Sequence, residues 1–235
     1  MTLKLFVEPL WISPYVFACY VTLKEKNLDF EAVVVDAAAG AAQATPYLGQ
    51  SVTGRVPSIL DDDFGLAESS AIIEYLEQKV PEPPVLPSSL RDRARCRQLM
   101  SWIRSDETAA LRDERSTYSM FFVRADQPLS PAAEQSAKKL CDIAGRVIRP
   151  GSPTIFDQWT ILDAELAFIL HRLILNKDPV PRGVAKWAER QWERPSVRAF
   201  LELARPTPSP SYRPPGLVIG PAARPSSPPG PPSAK

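Results

Sequence analysis

The sequence predicts an α/β domain joined to an all-helical domain. Three observations carry this. Short apolar strands and helical stretches alternate through residues 1–80. A stiff run, Val80-Pro81-Glu82-Pro83-Pro84-Val85-Leu86-Pro87, then interrupts the chain, and residues 81–87 read as a linker. Residues 88–205 repeat apolar positions at helical spacing, without strand alternation.

Leu3, Leu5 and Val7 alternate as in a strand. Ser13 caps a helix whose first position is Pro14, and Asn27 stops it. Phe30 to Val35 form a second strand, so the opening is βαβ with a parallel pair. Residues 36–54 are rich in Ala, Gly and Gln, and a short helix is expected near Gln43 to Leu48. Val56-Pro57 opens a third strand, where a proline lacking N–H fits, and it is a candidate cis bond. Asp61-Asp62-Asp63-Phe64-Gly65 is turn chemistry, with Gly65 free to take positive φ. A helix follows from Glu68-Ser69. The order βαβ(α)ββα is the thioredoxin-like plan.

In the second domain, Cys96, Leu99, Met100, Ile103, Ala110 and Leu111 share one face of a long helix. Ala133 to Ile148 give a second helix. Leu166, Ile169, Leu170, Leu173 and Ile174 give a third, apolar enough to be central. Two short helices follow, at Trp187–Trp192 and Val197–Leu203. Thr160 and Asp163 form a capping box before the third helix. Arg91, Arg93, Arg95 and Arg97 read as a solvated face.

Composition bounds the function. The 235 residues are 44% apolar and 23% charged, enough for a real core. Net charge is +1, so neither nucleic acid nor an anionic membrane is an expected partner. No apolar run reaches the length of about 18 residues that a membrane helix needs, and the first residues lack a long apolar core. Cys19, Cys96 and Cys141 lie far apart, and His171 is the one histidine, so no metal site is expected. Reduced thiols of this kind suit a cytoplasmic protein.

The helix start at Glu68-Ser69 offers free N–H groups, a positive dipole end, a hydroxyl and a carboxylate. Together they can hold a ligand carrying both an ammonium and a carboxylate. The spacing of Val56-Pro57 to Glu68-Ser69-Ser70-Ala71-Ile72-Ile73-Glu74-Tyr75-Leu76 resembles the thioredoxin-like half of glutathione transferases. The resemblance implies glutathione as co-substrate. Val56, before Pro57, would pair by backbone with the cysteinyl part, and Glu68 and Ser69 would hold the γ-glutamyl group. Arg55 would face the glycyl carboxylate, with Gln50 and Thr53 as weaker candidates. Gly54 departs from relatives that carry a second basic residue there.

Trp11-Ile12-Ser13-Pro14 looks like the W-x-S-P of serine-type glutathione transferases, notably the plant tau class. That implies Ser13 as the hydroxyl that stabilises the glutathione thiolate. Read from its residues alone, Ser13 is a plain helix cap sooner than a catalytic hydroxyl; the clamp downstream reverses that order. Tyr15 is a rival donor, and Cys19 reads as a buried core cysteine. A second-substrate pocket is expected around Trp11, Trp102, Arg104, Ser105 and Arg112, with Tyr118, Phe121 and Phe122 as further candidates. Arg104-Ser105-Asp106, Arg112-Asp113-Glu114-Arg115 and Gln191 to Val197 are most similar to the bacterial YfcF-like branch, which implies glutathione-dependent peroxide reduction as a further activity. The expected function is thiolate attack on small hydrophobic electrophiles by a homodimer. A glutathione peroxidase or disulfide reductase, and a non-catalytic glutathione-binding module, are the alternatives.

Residues 206–235 hold eleven prolines in thirty and form a tail that cannot bury much apolar surface. Deleting residues 207–235 is expected to leave the melting temperature and glutathione affinity unchanged. A melting point lowered by several degrees in differential scanning calorimetry would show that Leu217-Val218-Ile219 dock on the core.

Overall fold

The computed structural model describes residues 3–36, 51–105 and 108–209. The short helix expected near Gln43 to Leu48, Gln50 and the Leu217 triplet lie outside them. The strands β1 (Leu3–Val7), β2 (Glu31–Val34), β3 (Ser58–Asp61) and β4 (Phe64–Ala67) form one sheet in the order β2-β1-β3-β4. β1 pairs parallel with β2 and antiparallel with β3, and β3 pairs antiparallel with β4. Helix α1 (Pro14–Glu25) makes the parallel crossover that such a pair requires, and α2 (Ser69–Lys79) follows β4. This is the thioredoxin-like arrangement.

The β3–β4 hairpin corrects one expectation. Gly65 sits inside β4 opposite Leu60, and it is Asp62 that takes positive φ, at 55°. Asp tolerates the left-handed region because its short polar side chain can bond to nearby backbone. The Val56–Pro57 bond is cis, as is Glu82–Pro83.

The second domain contains α3 (Leu90–Arg104), α4 (Ala109–Glu114), α5 (Thr117–Phe121), α6 (Pro131–Val147), α7 (Ile161–Asn176), α8 (Arg182–Trp192) and α9 (Pro195–Leu201). The expected long helix through Leu111 is divided. α3 ends at Arg104 because Ser105 turns extended, with ψ 172°, and its hydroxyl donates to the Trp102 carbonyl at 2.7 Å. α7 is central, with Leu162, Ala167 and Leu170 fully buried. Its capping box forms: the Asp163 carboxylate accepts the Thr160 N–H at 2.8 Å and also the Ile155 N–H at 2.8 Å. Burial nonetheless pushes Asp163 up to about 6. Among the described residues no helix is long and apolar enough to cross a membrane.

The two domains share one core. Phe17 of α1 lies 4.6 Å from Phe168 of α7 and 5.2 Å from Phe200 of α9, between ring centroids. Polar clamps fix the same joint. Glu25 takes a bidentate pair from Arg194, at 2.6 Å twice, and Arg194 stacks 3.9 Å over Trp159. Of the four arginines read as a solvated face, Arg91, Arg95 and Arg97 are exposed, while Arg93 is half-buried; Arg93 and Arg97 also pair with Glu74 of α2.

Lys26 ties down the linker. Its fully buried ammonium pairs with Glu77 at 2.7 Å and donates to the carbonyls of Val80 and Pro83 at 2.6 and 3.1 Å. The Glu77 carboxylate in turn accepts the Val85 and Leu86 N–H groups at 3.0 and 3.3 Å. Removing one member leaves the other charge buried and unpaired, which costs about 3–5 kcal/mol. Lys26→Met is therefore expected to lower the melting temperature by roughly 6–20 °C, given about 2–4 °C per kcal/mol for a chain of this size. A calorimetric shift under two degrees would show that the clamp does not hold the linker.

Candidate functional site

The site is assembled from three loop-to-helix junctions. The first begins at Glu8. Its carboxylate accepts the N–H groups of Leu10, Ile12 and Ser13 at 2.7, 2.6 and 2.8 Å, which folds residues 8–13 into a tight cradle. Trp11 takes φ 53° within it. Burial raises the Glu8 pKa, while these bonds favour its charged form. The cradle delivers Ser13 to the start of α1, where its hydroxyl accepts the Val16 N–H at 3.3 Å. That geometry leaves the hydroxyl proton available to an acceptor.

The second junction precedes β3. Gly54 adopts φ 63° and donates to the Ser51 carbonyl at 2.9 Å, and the Ser51 hydroxyl donates to the Arg55 carbonyl at 3.1 Å. This turn leads into the cis Val56–Pro57 bond. The third junction is the start of α2. Glu68 occupies the cap position with φ 73°, and its side chain makes no cap bond. A non-glycine residue held there is strained, and such strain concentrates at ligand sites. Ser69 is buried, and its hydroxyl accepts from Arg104 Nη2 at 3.4 Å.

Arg55, Val56, Pro57, Glu68 and Ser69 line one cavity of about 510 Å³. Tyr15 and Arg104 close it. The structure thus brings together every residue expected to hold glutathione within the described chain except Thr53, which is exposed. Ser13 is half-buried, and its neighbours Pro14 and Tyr15 line cavities where it does not. A smaller hollow behind Tyr15 is lined by Arg112. The structure does not bring Trp11, Trp102 or Ser105 to either space. Trp11 packs edge-on against Tyr20 and Phe200, with centroids 6.1 and 6.2 Å away. Trp102 packs on the core, and Ser105 closes α3 and faces a separate hollow toward α6. The reason is common to all three: apolar contact or helix termination claims the side chain.

Arg104 is the residue that joins the domains at this site. Its guanidinium grips Glu165 of α7 at 2.6 and 2.5 Å and lies 5.9 Å from the Tyr15 ring centroid. Burial works against its charge, but the Glu165 carboxylate outweighs this and raises its pKa. Sequence reading missed Glu165 and Glu8. The available signals were a carboxylate near the start of an otherwise apolar helix, and one five residues ahead of a serine cap.

The other nucleophile and base candidates lie elsewhere. Cys19 is fully buried, its Sγ 4.0 Å from the Ser69 carbonyl, and burial pushes its thiol well above the ordinary range. His171 is buried, stacked 3.6 Å from Trp192, with Nδ1 2.8 Å from the Ala167 carbonyl, and burial lowers its pKa to about 4. Among the described residues no cluster of three His, Cys, Asp or Glu side chains is placed to hold a metal.

A thioredoxin-like sheet domain followed by an all-helical domain, with one cavity lined from both, defines the fold class. A sequence model of the glutathione S-transferase N-terminal domain matches residues 11–84, and one of the C-terminal domain matches residues 89–205. The chain belongs to the glutathione S-transferase family. It is 30% identical to glutathione S-transferase 3 of Zea mays, over 87% of this chain and 90% of that one. It is 27% identical to glutathione S-transferase Z1 of Arabidopsis thaliana, over 86% and 94% respectively. A crystal structure of a glutathione transferase homolog from Burkholderia with bound glutathione superposes with a TM-score of 0.71 at 38% identity, over 86% of this chain and 97% of that chain.

Proposed function

We propose that the protein binds glutathione in the larger cavity and ionises its thiol for attack on a small hydrophobic electrophile. The observation that carries this is the convergence of cis Val56–Pro57 and the Glu68-Ser69 helix start on one cavity walled by Tyr15. In this reading the Val56 backbone pairs with the cysteinyl unit. Glu68 accepts the γ-glutamyl ammonium, and Ser69 with the first turn of α2 takes its carboxylate. Arg55 serves the glycyl carboxylate. A homodimer with an isologous contact is the default assembly, and the buried free cysteines favour a cytoplasmic setting.

A free thiol titrates near pH ~8.5, and lowering it by roughly two units takes about 2.7 kcal/mol. A helix N-terminus supplies about 0.3–1 kcal/mol. A hydroxyl donating to the sulfur supplies about 1.5–3 kcal/mol more. Ser13 is the donor in this reading, with its hydroxyl oriented by Val16. Tyr15 is the rival, because its side chain lines the cavity. The burial of Cys19 disfavours a mixed-disulfide cycle on the protein's own thiol. A thiol-consumption screen with an aryl halide, a hydroperoxide and a mixed disulfide separates transferase from peroxidase and reductase. Inactivity with all three would make the chain a binding module.

Glu68→Ala and Ser69→Ala are each expected to weaken glutathione binding by about 1.5–3 kcal/mol, read by titration calorimetry. Unchanged dissociation constants for both would retire the clamp.

Ser13→Ala is expected to raise the pKa of bound glutathione by roughly one to two units, seen in the ultraviolet thiolate band, with little change in affinity. If Tyr15→Phe shifts the titration and Ser13→Ala does not, the phenol is the donor.

A further inference from the structure

The hollow behind Tyr15 carries charge that the helical bundle does not neutralise. It shares Tyr15 and Arg104 with the larger cavity. Its apolar walls are Ile103 of α3 and Phe168 and Ile169 of α7. Its polar lining residues are Arg104, Arg112, Arg172, Glu165 and Tyr15. The Glu165 carboxylate is spent, because Arg104 grips both of its oxygens.

Among the described residues, Arg112 and Arg172 have no such partner. Arg172 is 5% exposed, and its side chain makes a single hydrogen bond, from Nη1 to the Arg115 carbonyl at 2.7 Å. A guanidinium has five N–H donors, so most of its capacity is unused. Arg112 Nη1 reaches the Tyr15 hydroxyl and the Arg104 carbonyl only at 3.4 Å each. Among the described acidic groups, Asp178 is engaged with Arg115 and Glu114 with Ser130, and exposed Asp113 acts on Arg172 by its charge without a hydrogen bond. Burial, then the charge of Arg112, lower the Arg172 pKa to about 10, which keeps it charged at neutral pH. Two cations held side by side with no described carboxylate bonded to either are costly, and a ligand anion would offset that cost.

We propose that this hollow recognises a carboxylate on the second substrate, so that the electrophile is an anion with a compact apolar body, held by Arg112 and Arg172. The proposal rests on the transferase reading and names its substrate class. The hollow's volume, about 30 Å³, suits the group. One water-sized probe fills roughly 10–15 Å³, so there is room for the two oxygens of a carboxylate and little else. Arginine forks match a carboxylate two bonds at a time. The apolar body then extends past Tyr15 and Arg104, which the two spaces share, and carries the reactive carbon toward the larger cavity.

Paired ligands test this. Equilibrium binding of 4-nitrobenzoate and methyl 4-nitrobenzoate is measured by calorimetry on the full chain, on Arg112→Gln and on Arg172→Gln. The wild type is expected to prefer the acid by about tenfold or more, the effect of a single charge-assisted contact. In Arg112→Gln the acid-to-ester ratio falls to near one. Arg172→Gln gives the same result where circular dichroism shows it folded, and Arg112→Gln decides alone where it is not. Equal binding of acid and ester by the wild type, or an undiminished preference in folded Arg112→Gln, would overturn the proposal. Turnover of 4-chloro-3-nitrobenzoate and its methyl ester separates this proposal from the transferase reading. There the glutathione thiolate forms a C–S bond at the chlorinated carbon, and chloride leaves with the C–Cl electron pair. Carboxylate preference in binding without consumption of glutathione upholds the anion site and overturns the transferase reading. Conjugation of both aryl chlorides without carboxylate preference does the reverse.

Discussion

The Arg104–Glu165 pair is the constraint on which the site depends. It links the last turn of α3 to the second turn of α7, and both partners are largely withdrawn from water, at 16% and 5% exposure. A buried pair of this kind adds little net stability, because desolvation offsets its attraction. What it fixes is geometry. Arg104 ends α3, reaches across to the Ser69 hydroxyl, and places its cationic face beside Tyr15. The helical domain thereby contributes to a cavity whose other walls belong to the sheet domain. Without the pair, a free arginine would have no reason to stay inside, and the floor shared by the two cavities would open.

Helix α1 is the element that both domains hold. Its middle carries Phe17 into the shared aromatic cluster, and its end carries Glu25 to Arg194. Just past it, Lys26 locks the linker. Its start is folded by Glu8, while Arg205 donates to the Trp11 carbonyl at 3.2 Å. A hydroxyl at the start of such a helix loses little entropy when it engages a ligand, because its rotamer and backbone are already set. Supporting contacts far from a ligand are what make a single hydrogen bond at the site effective.

The architecture was legible because it is local. Strand alternation, Ser13-Pro14, Val56-Pro57, the linker prolines and the Thr160–Asp163 box each impose structure within a few residues. Misreadings arose where distant partners decide. Helical periodicity ran on through Leu111, but an extended Ser105 and the tertiary pull on Arg104 ended α3. Arg93 looked solvated, but Glu74 of the other domain draws it half out of water. Tryptophans 11 and 102 looked like pocket walls because aromatic side chains suit pockets and cores alike, and packing alone separates the two. The convergence of Val56, Pro57, Glu68 and Ser69 on one cavity was readable because they flank one hairpin and start one helix. The inner hollow draws on α1, α3, α4 and α7, and no local pattern encodes that convergence.

The placement of sulfur argues for the direction of the chemistry. Cys19, Cys96 and Cys141 are all buried, and burial raises all three thiols, Cys96 to about 12. At neutral pH none of them offers a thiolate, although Cys19 lies directly beneath Ser69. The region above is arranged the opposite way. The N-terminal ends of α1 and α2 point positive partial charge toward the cavities, and Arg104 and Arg112 stand beside Tyr15. One core therefore penalises a sulfur anion within it, while the positive groups beside the adjoining cavities suit an anion from outside. In the proposed function that contrast puts the reacting thiol on the ligand and not on the protein.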